Sequence, residues 1–78
     1  MNTYTPNSFE LRFDSELRFI RMREVTQKTG LSKSSIYDLM AQDLFPKTVN
    51  LGGRSVAFVE AEIDAWMAAR IAARNVAA

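Results

Sequence analysis

Glu24-Val25-Thr26-Gln27-Lys28-Thr29-Gly30-Leu31-Ser32-Lys33-Ser34-Ser35-Ile36-Tyr37-Asp38-Leu39-Met40-Ala41-Gln42-Asp43-Leu44 is the run from which the rest of the chain takes its meaning. Gly30 can take the left-handed backbone that ends one helix, and Ser32 can accept the backbone N–H bonds that begin the next. The run reads as two short helices joined at Thr29-Gly30-Leu31, a helix-turn-helix pattern. In that motif the first helix carries the second into the major groove of DNA.

The first helix is expected from Met22 or Arg23 to Thr29, with Val25 as its core residue, Met22 behind it and Leu31 beyond the turn; Glu24 suits the positive first turn. The second is expected from Ser32 to about Asp43. Ile36, Leu39 and Met40 fall at i, i+3 and i+4 and make its buried stripe, which leaves Ser34, Asp38 and Ala41 facing outward, flanked by Ser35, Tyr37 and Gln42. Small and polar residues let a helix approach a groove closely. Lys33 is placed to reach a phosphate, and the serine hydroxyls can bond a base or a backbone oxygen. Ser32 reads as a cap rather than a contact, and Tyr37 reads equally as a partly buried packing residue with a polar tip.

Upstream, Leu17-Arg18-Phe19-Ile20-Arg21 alternates apolar and basic residues as a short strand would, with Phe19 the candidate for the core and both arginines turned to water or phosphate. A lone strand needs a partner, and the chain offers one further on. Residues 1–17 read as a flexible arm, although the alternation of Phe9, Leu11 and Phe13 leaves a short strand or a partner-docking segment as the alternative.

Downstream, Pro46 ends helical structure and forces Phe45 into an extended shape. Lys47–Leu51 and Ser55–Val59 both alternate, with Val49 and Leu51 on one face and Val56 and Phe58 on one face; Gly52-Gly53-Arg54 supplies a tight turn between them. A hairpin directly after a recognition helix is a wing. Its tip would present Arg54 to a phosphate or a minor groove, with Lys47 at the other end of the ribbon, although a glycine turn of this kind can also be merely solvated. The last helix is expected from Glu60 or Ala61 to about Asn75, with Asn75-Val76-Ala77-Ala78 fraying. Ile63, Trp66, Met67 and Ile71 form its apolar stripe, Glu60, Glu62 and Asp64 a solvated acidic first turn, and Arg70 and Arg74 its basic end. The fold is thus expected to be a small α+β winged helix-turn-helix over residues 18–75.

Composition narrows the function. A chain of 78 residues, 47% hydrophobic and 24% charged, makes one small folded domain. Such a domain buries only about 60% of its unfolded surface and leaves little room for a deep cleft. It has no cysteine and no histidine, which removes disulfides, Cys/His zinc sites and the usual nucleophile–imidazole pairs. No catalytic set, metal or cofactor is expected. No run approaches the ~20 apolar residues of a membrane span, and Met1–Ser8 lacks signal-peptide features, so a cytoplasmic location is expected. The net charge is only +1, but it is unevenly placed: −2 over residues 1–17, +4 over 18–54 and −1 over 55–78. The basic segment is the one that holds the helix-turn-helix, as phosphate binding requires.

Arg18-Phe19-Ile20-Arg21, Glu24-Val25, Thr29-Gly30-Leu31-Ser32-Lys33-Ser34-Ser35-Ile36-Tyr37, Phe45-Pro46-Lys47, Leu51-Gly52-Gly53-Arg54-Ser55-Val56 and Glu62-Ile63-Asp64-Ala65-Trp66 together resemble the AlpA family of phage and prophage regulators, related to excisionases and to the MerR-type winged helix-turn-helix. The resemblance covers Arg18 to about Arg74. It implies DNA contacts from Lys33, Ser34, Ser35 and Tyr37 and from Arg54 in the wing; Arg21, Arg23 and Lys47 complete the candidate basic set. At position 38 the family looks to favour a basic residue, whereas Asp38 here repels phosphate but can accept from a cytosine amino group.

The function expected is a sequence-specific transcriptional regulator of a prophage or mobile element that activates integrase or excision genes. Its partner is double-stranded DNA, bound as a homodimer or a cooperative array on repeated sites, with no membrane and no small-molecule substrate. An excisionase-type DNA-bending factor is the alternative with the same fold, and a protein-interaction adaptor is the alternative of another class.

Overall fold

The sheet is built around a strand that arrives late in the chain. In the computed structural model, which describes residues 17–77, the elements run β1 (Phe19–Ile20), α1 (Met22–Thr29), α2 (Lys33–Ala41), β2 (Val49–Gly52), β3 (Ser55–Val59) and α3 (Glu60–Ala77). The three strands form one antiparallel sheet in the order β1-β3-β2. This is a small α+β winged helix-turn-helix: α1 and α2 make the helix-turn-helix, β2 and β3 the wing, and α3 closes the domain. The arm expected over residues 1–17, with Phe9, Leu11 and Phe13, lies outside the described residues apart from its last one.

Each boundary has a local cause. Gly30, at φ 79°, ends α1 by donating its N–H to the Thr26 carbonyl at 2.8 Å. Ser32 begins α2, its hydroxyl oxygen accepting the Ser35 N–H at 3.1 Å. The end of α2 comes earlier than expected, at Ala41. There Asp43 takes the left-handed conformation, φ 60°, and its N–H bonds the Met40 carbonyl at 3.0 Å while the Leu44 N–H bonds the Leu39 carbonyl at 2.8 Å. This is a Schellman closure with an aspartate where glycine is usual. The wing's first strand starts at Val49, so Lys47 lies outside the ribbon that was expected to hold it. In the opposite direction α3 runs on to Ala77, past the expected fraying point at Asn75.

Ile20, Val25, Ile36, Phe45, Phe58 and Ile63 form the buried core, with Met22, Leu31, Leu39, Met40, Trp66 and Met67 packed around it. Two sequence expectations need correction. Phe19 is 54% exposed and Ile20 only 1%, because Ile20 pairs with Phe58 and shares its face toward the helices. Ile71 is 54% exposed, because α3 outruns the body it packs against and the stripe stops at Met67. Phe45 meets Phe58 edge-on at 6.0 Å and Trp66 at 4.8 Å, so the loop after α2 locks onto both wing and closing helix. The Trp66 Nε1–H completes this corner by donating to the Leu44 carbonyl at 2.8 Å.

The acidic start of α3 is solvated as expected at Glu62, but Glu60 and Asp64 are paired with bases from earlier in the chain. Lys28 Nζ stands 2.8 Å from a Glu60 carboxylate oxygen and 2.8 Å from one of Asp64, and the Arg18 guanidinium bridges Glu60 and Glu24 at 3.3 and 3.4 Å. The Lys28 bond lowers the Glu60 pKa below the usual 4.5, with smaller help from Arg18 and against burial. Asp64 and then Glu60 raise that of Lys28 above 10.5. A depressed carboxylate pKa stabilises the fold above its ordinary value, and that contribution is lost as pH falls through the folded-state value.

Two outcomes follow. In urea unfolding, Ile63→Ala costs about 2–5 kcal/mol, whereas Ile71→Ala changes stability by less than about 0.5 kcal/mol. In thermal melts, Glu60→Gln lies below wild type at pH 7, and the gap closes as the pH is taken below 4.5.

Candidate nucleic-acid interface

The second helix presents an exposed, largely polar face. With Ile36 buried and Leu39 and Met40 half-buried against the core, the helical period turns Ser34, Asp38 and Ala41 to solvent, and all three are exposed. Lys33 and Tyr37 stand one turn apart on the flank that carries Tyr37 into a cleft beside the wing. That cleft, about 350 Å³, is bordered by Arg21 and Arg23 at the start of α1, Tyr37 and Met40 from α2, Thr48 just before β2 and Val56 from β3. Its walls are apolar and its rim carries two guanidinium groups and a phenol. At the far end of the ribbon the turn is made by Gly52 at φ 129° and Gly53 at φ 56°, which leaves Arg54 exposed at the tip.

The nine residues singled out from sequence are not equivalent. Among the described residues, no side-chain partner is found for Arg23, Lys33, Ser34, Tyr37, Asp38 or Arg54. Ser35 accepts a hydrogen bond from the Ser32 hydroxyl at 3.0 Å while its own N–H is held by the cap, so it belongs to the helix start. The Arg21 guanidinium donates to the Val56 carbonyl at 2.9 Å. Lys47 pairs with Asp43 at 2.7 Å, a bond that lowers the Asp43 pKa, and it borders a different depression, alongside Glu62 and Ala65.

The structure therefore gathers Arg21, Arg23 and Tyr37 around one cleft, sets Lys33 on the same flank of α2, and puts Arg54 at the end of the ribbon. Lys47 stands apart. Thr48 is the cleft residue that sequence reasoning did not single out, and Val56, expected only as a strand residue, joins it there; neither type carries a site signal of its own. Such an arrangement can bind a polyanion: dispersed cations, small hydroxyls on an exposed helix, and a projecting arginine. Among the described residues no group of His, Cys, Asp or Glu sits together as metal ligands, and no helix is long and apolar enough to cross a membrane.

The family described as "Prophage CP4-57 regulatory protein (AlpA)" matches residues 18–71, from β1 through most of α3. The chain belongs to the AlpA family. An uncharacterized protein of Enterobacteria phage P4, ORF88, is 51% identical over 58 residues, which are 74% of this chain and 66% of that protein, just under two thirds of its length. The DNA-binding transcriptional activator AlpA of Escherichia coli (strain K12) is 40% identical over 62 residues, 72% of this chain and 89% of that protein. No solved structure gives a significant match. Within this AlpA-family domain, the helix-turn-helix, the wing and the cleft between them all fall inside the matched span.

The cap at the start of α2 is open to test. Ser32→Ala removes the acceptor for the Ser35 N–H and costs about 1 kcal/mol in unfolding experiments, with faster amide exchange confined to the first turn of the helix.

Proposed function

We propose that this chain is a sequence-specific, double-stranded-DNA-binding transcriptional regulator of a prophage or mobile element, and that it activates the genes for integration or excision. The observation that carries the proposal is the exposed set of Lys33, Ser34, Tyr37 and Asp38 on α2, without side-chain partners among the described residues, together with Arg23 and with Arg54 at the wing tip. A DNA-binding transcriptional activator among the relatives supports the same reading.

In this reading α2 enters the major groove. Lys33 and Arg23 neutralise phosphates on either side, Ser34 and Tyr37 bond base edges or backbone oxygens, and Asp38 accepts from a cytosine amino group. The wing reaches the adjacent minor groove or its phosphates through Arg54. No residue is given a catalytic role, and the protein acts in the cytoplasm. A module with so few phosphate contacts binds modestly and with strong salt dependence, so two copies on adjacent sites supply the affinity that regulation needs.

A salt titration of binding tests this. DNA upstream of the neighbouring integrase or element genes is expected to bind ~10³-fold more tightly than an unrelated fragment. Arg54→Ala should weaken both and reduce the slope of log affinity against log salt by about 1. Equal binding of the two fragments at every salt concentration would remove the sequence-specific reading.

A further inference from the structure

We propose that Arg21 is a positioning residue: its guanidinium sets the wing at a defined angle to the recognition helix, and so governs where Arg54 falls. This rests on the DNA-binding reading of the wing, and it assigns Arg21 a different role from that of Arg23 and Lys33.

The backbone of Arg21 is held from both sides. Before it, Ile20 is buried and paired with Phe58. After it, the Arg21 carbonyl accepts the first helical bond of α1, from the Val25 N–H at 3.0 Å, while Arg21 itself stays extended at φ −94° and ψ 167°. The side chain therefore starts from a fixed point in the helix-turn-helix. It ends on the wing, where Nη1 donates to the Val56 carbonyl at 2.9 Å.

The wing needs such a tie. All four residues of β2 are exposed, as are Ser55 and Val56 on the return strand, so the outer ribbon has little apolar burial to fix its direction. A two-stranded ribbon without a packed face is marginally stable. Pairing of β1 with β3 stops at Ile20 and Phe58, and no third β1 residue continues it. The guanidinium bonds the strand beyond that point, two residues from Arg54. Among the described residues it is the one side-chain hydrogen bond that joins the helix-turn-helix to the outer wing. Arginine suits the task because its planar fork fixes the direction of the bond and never loses its proton.

Coupling is the consequence. If Arg21 acts by holding the ribbon, its removal matters on DNA only while Arg54 is present to be misplaced. If instead it contacts a phosphate directly, its loss and that of Arg54 are independent and their effects multiply.

Two measurements decide it. Hydrogen exchange on the free protein is expected to show amides of Leu51–Val56 exchanging roughly tenfold faster in Arg21→Ala than in wild type, with those of α2 unchanged and Arg23→Ala indistinguishable from wild type. On DNA, Arg21→Ala is expected to lose about tenfold in affinity, the scale of one charge-assisted hydrogen bond, but less than about threefold when Arg54 is already alanine. Arg23→Ala should give the same loss in both backgrounds. Unchanged hairpin exchange overturns the proposal whatever the DNA shows, and so does a loss for Arg21→Ala that is equal in both backgrounds. If exchange in α2 rises as well, Arg21→Met, which keeps the aliphatic stem and removes the donor, replaces Arg21→Ala in both arms with the same criteria. Absence of DNA binding by the wild type would overturn the functional reading alone, and the exchange experiment would still decide whether Arg21 holds the wing.

Discussion

Burial of Phe58 is the constraint on which the domain depends. The residue sits on the middle strand of a sheet with only two neighbours, and a phenylalanine left exposed there would forfeit roughly 1.5–3 kcal/mol. Covering it takes a contribution from nearly every element. Ile20 pairs beside it, Val25 and Ile36 bring the two helices of the helix-turn-helix, Phe45 meets it edge-on, and Ile63 closes the stack. The packing of α2 against the inner end of β3 thus depends on one buried side chain, while the direction of the exposed outer ribbon is left to the Arg21 tie. A domain of this size has a single core, and here the core is also the hinge-pin of the binding surface.

Charge is divided with similar economy. Of the seven bases between Arg18 and Arg54, Arg18 and Lys28 are held by carboxylates that join β1 and α1 to the start of α3, and Lys47 is held by Asp43. Arg21 is committed to a backbone carbonyl. That leaves Arg23, Lys33 and Arg54 without a side-chain partner among the described residues, one from each of α1, α2 and the wing. The basic excess seen along the chain is therefore an overestimate of what faces a ligand, because opposite charges far apart in sequence meet in the fold.

What was legible in the chain was whatever has a local cause. Gly30 and Ser32 marked the turn, Ile36, Leu39 and Met40 marked the inner face of α2, and the double glycine marked the hairpin. The misreadings share a different origin. Alternation in Leu17–Arg21 says that Phe19 and Ile20 face opposite ways, but which of them is buried depends on the register with β3, and Ile20 is the one that meets Phe58. Ile71 continues a helical stripe that runs past the edge of the body. Asp43 closes α2 without the glycine that would have advertised it. Among the candidate contact residues, exposure of Lys33, Ser34, Tyr37 and Asp38 follows from the helical period, while the engagement of Arg21, Ser35 and Lys47 within the protein required the folded neighbours to be in place.

The corner made by Leu44, Phe45 and Trp66 has an optical consequence. The chain has a single tryptophan, and its indole is half-buried, bonded through Nε1 to the carbonyl just past the recognition helix, met edge-on by Phe45 and capped by the Arg70 guanidinium at 5.6 Å. Any movement that parts the recognition helix from the closing helix hands the indole to water and displaces its emission to longer wavelength. The protein thus carries an intrinsic gauge of that joint, readable without a label.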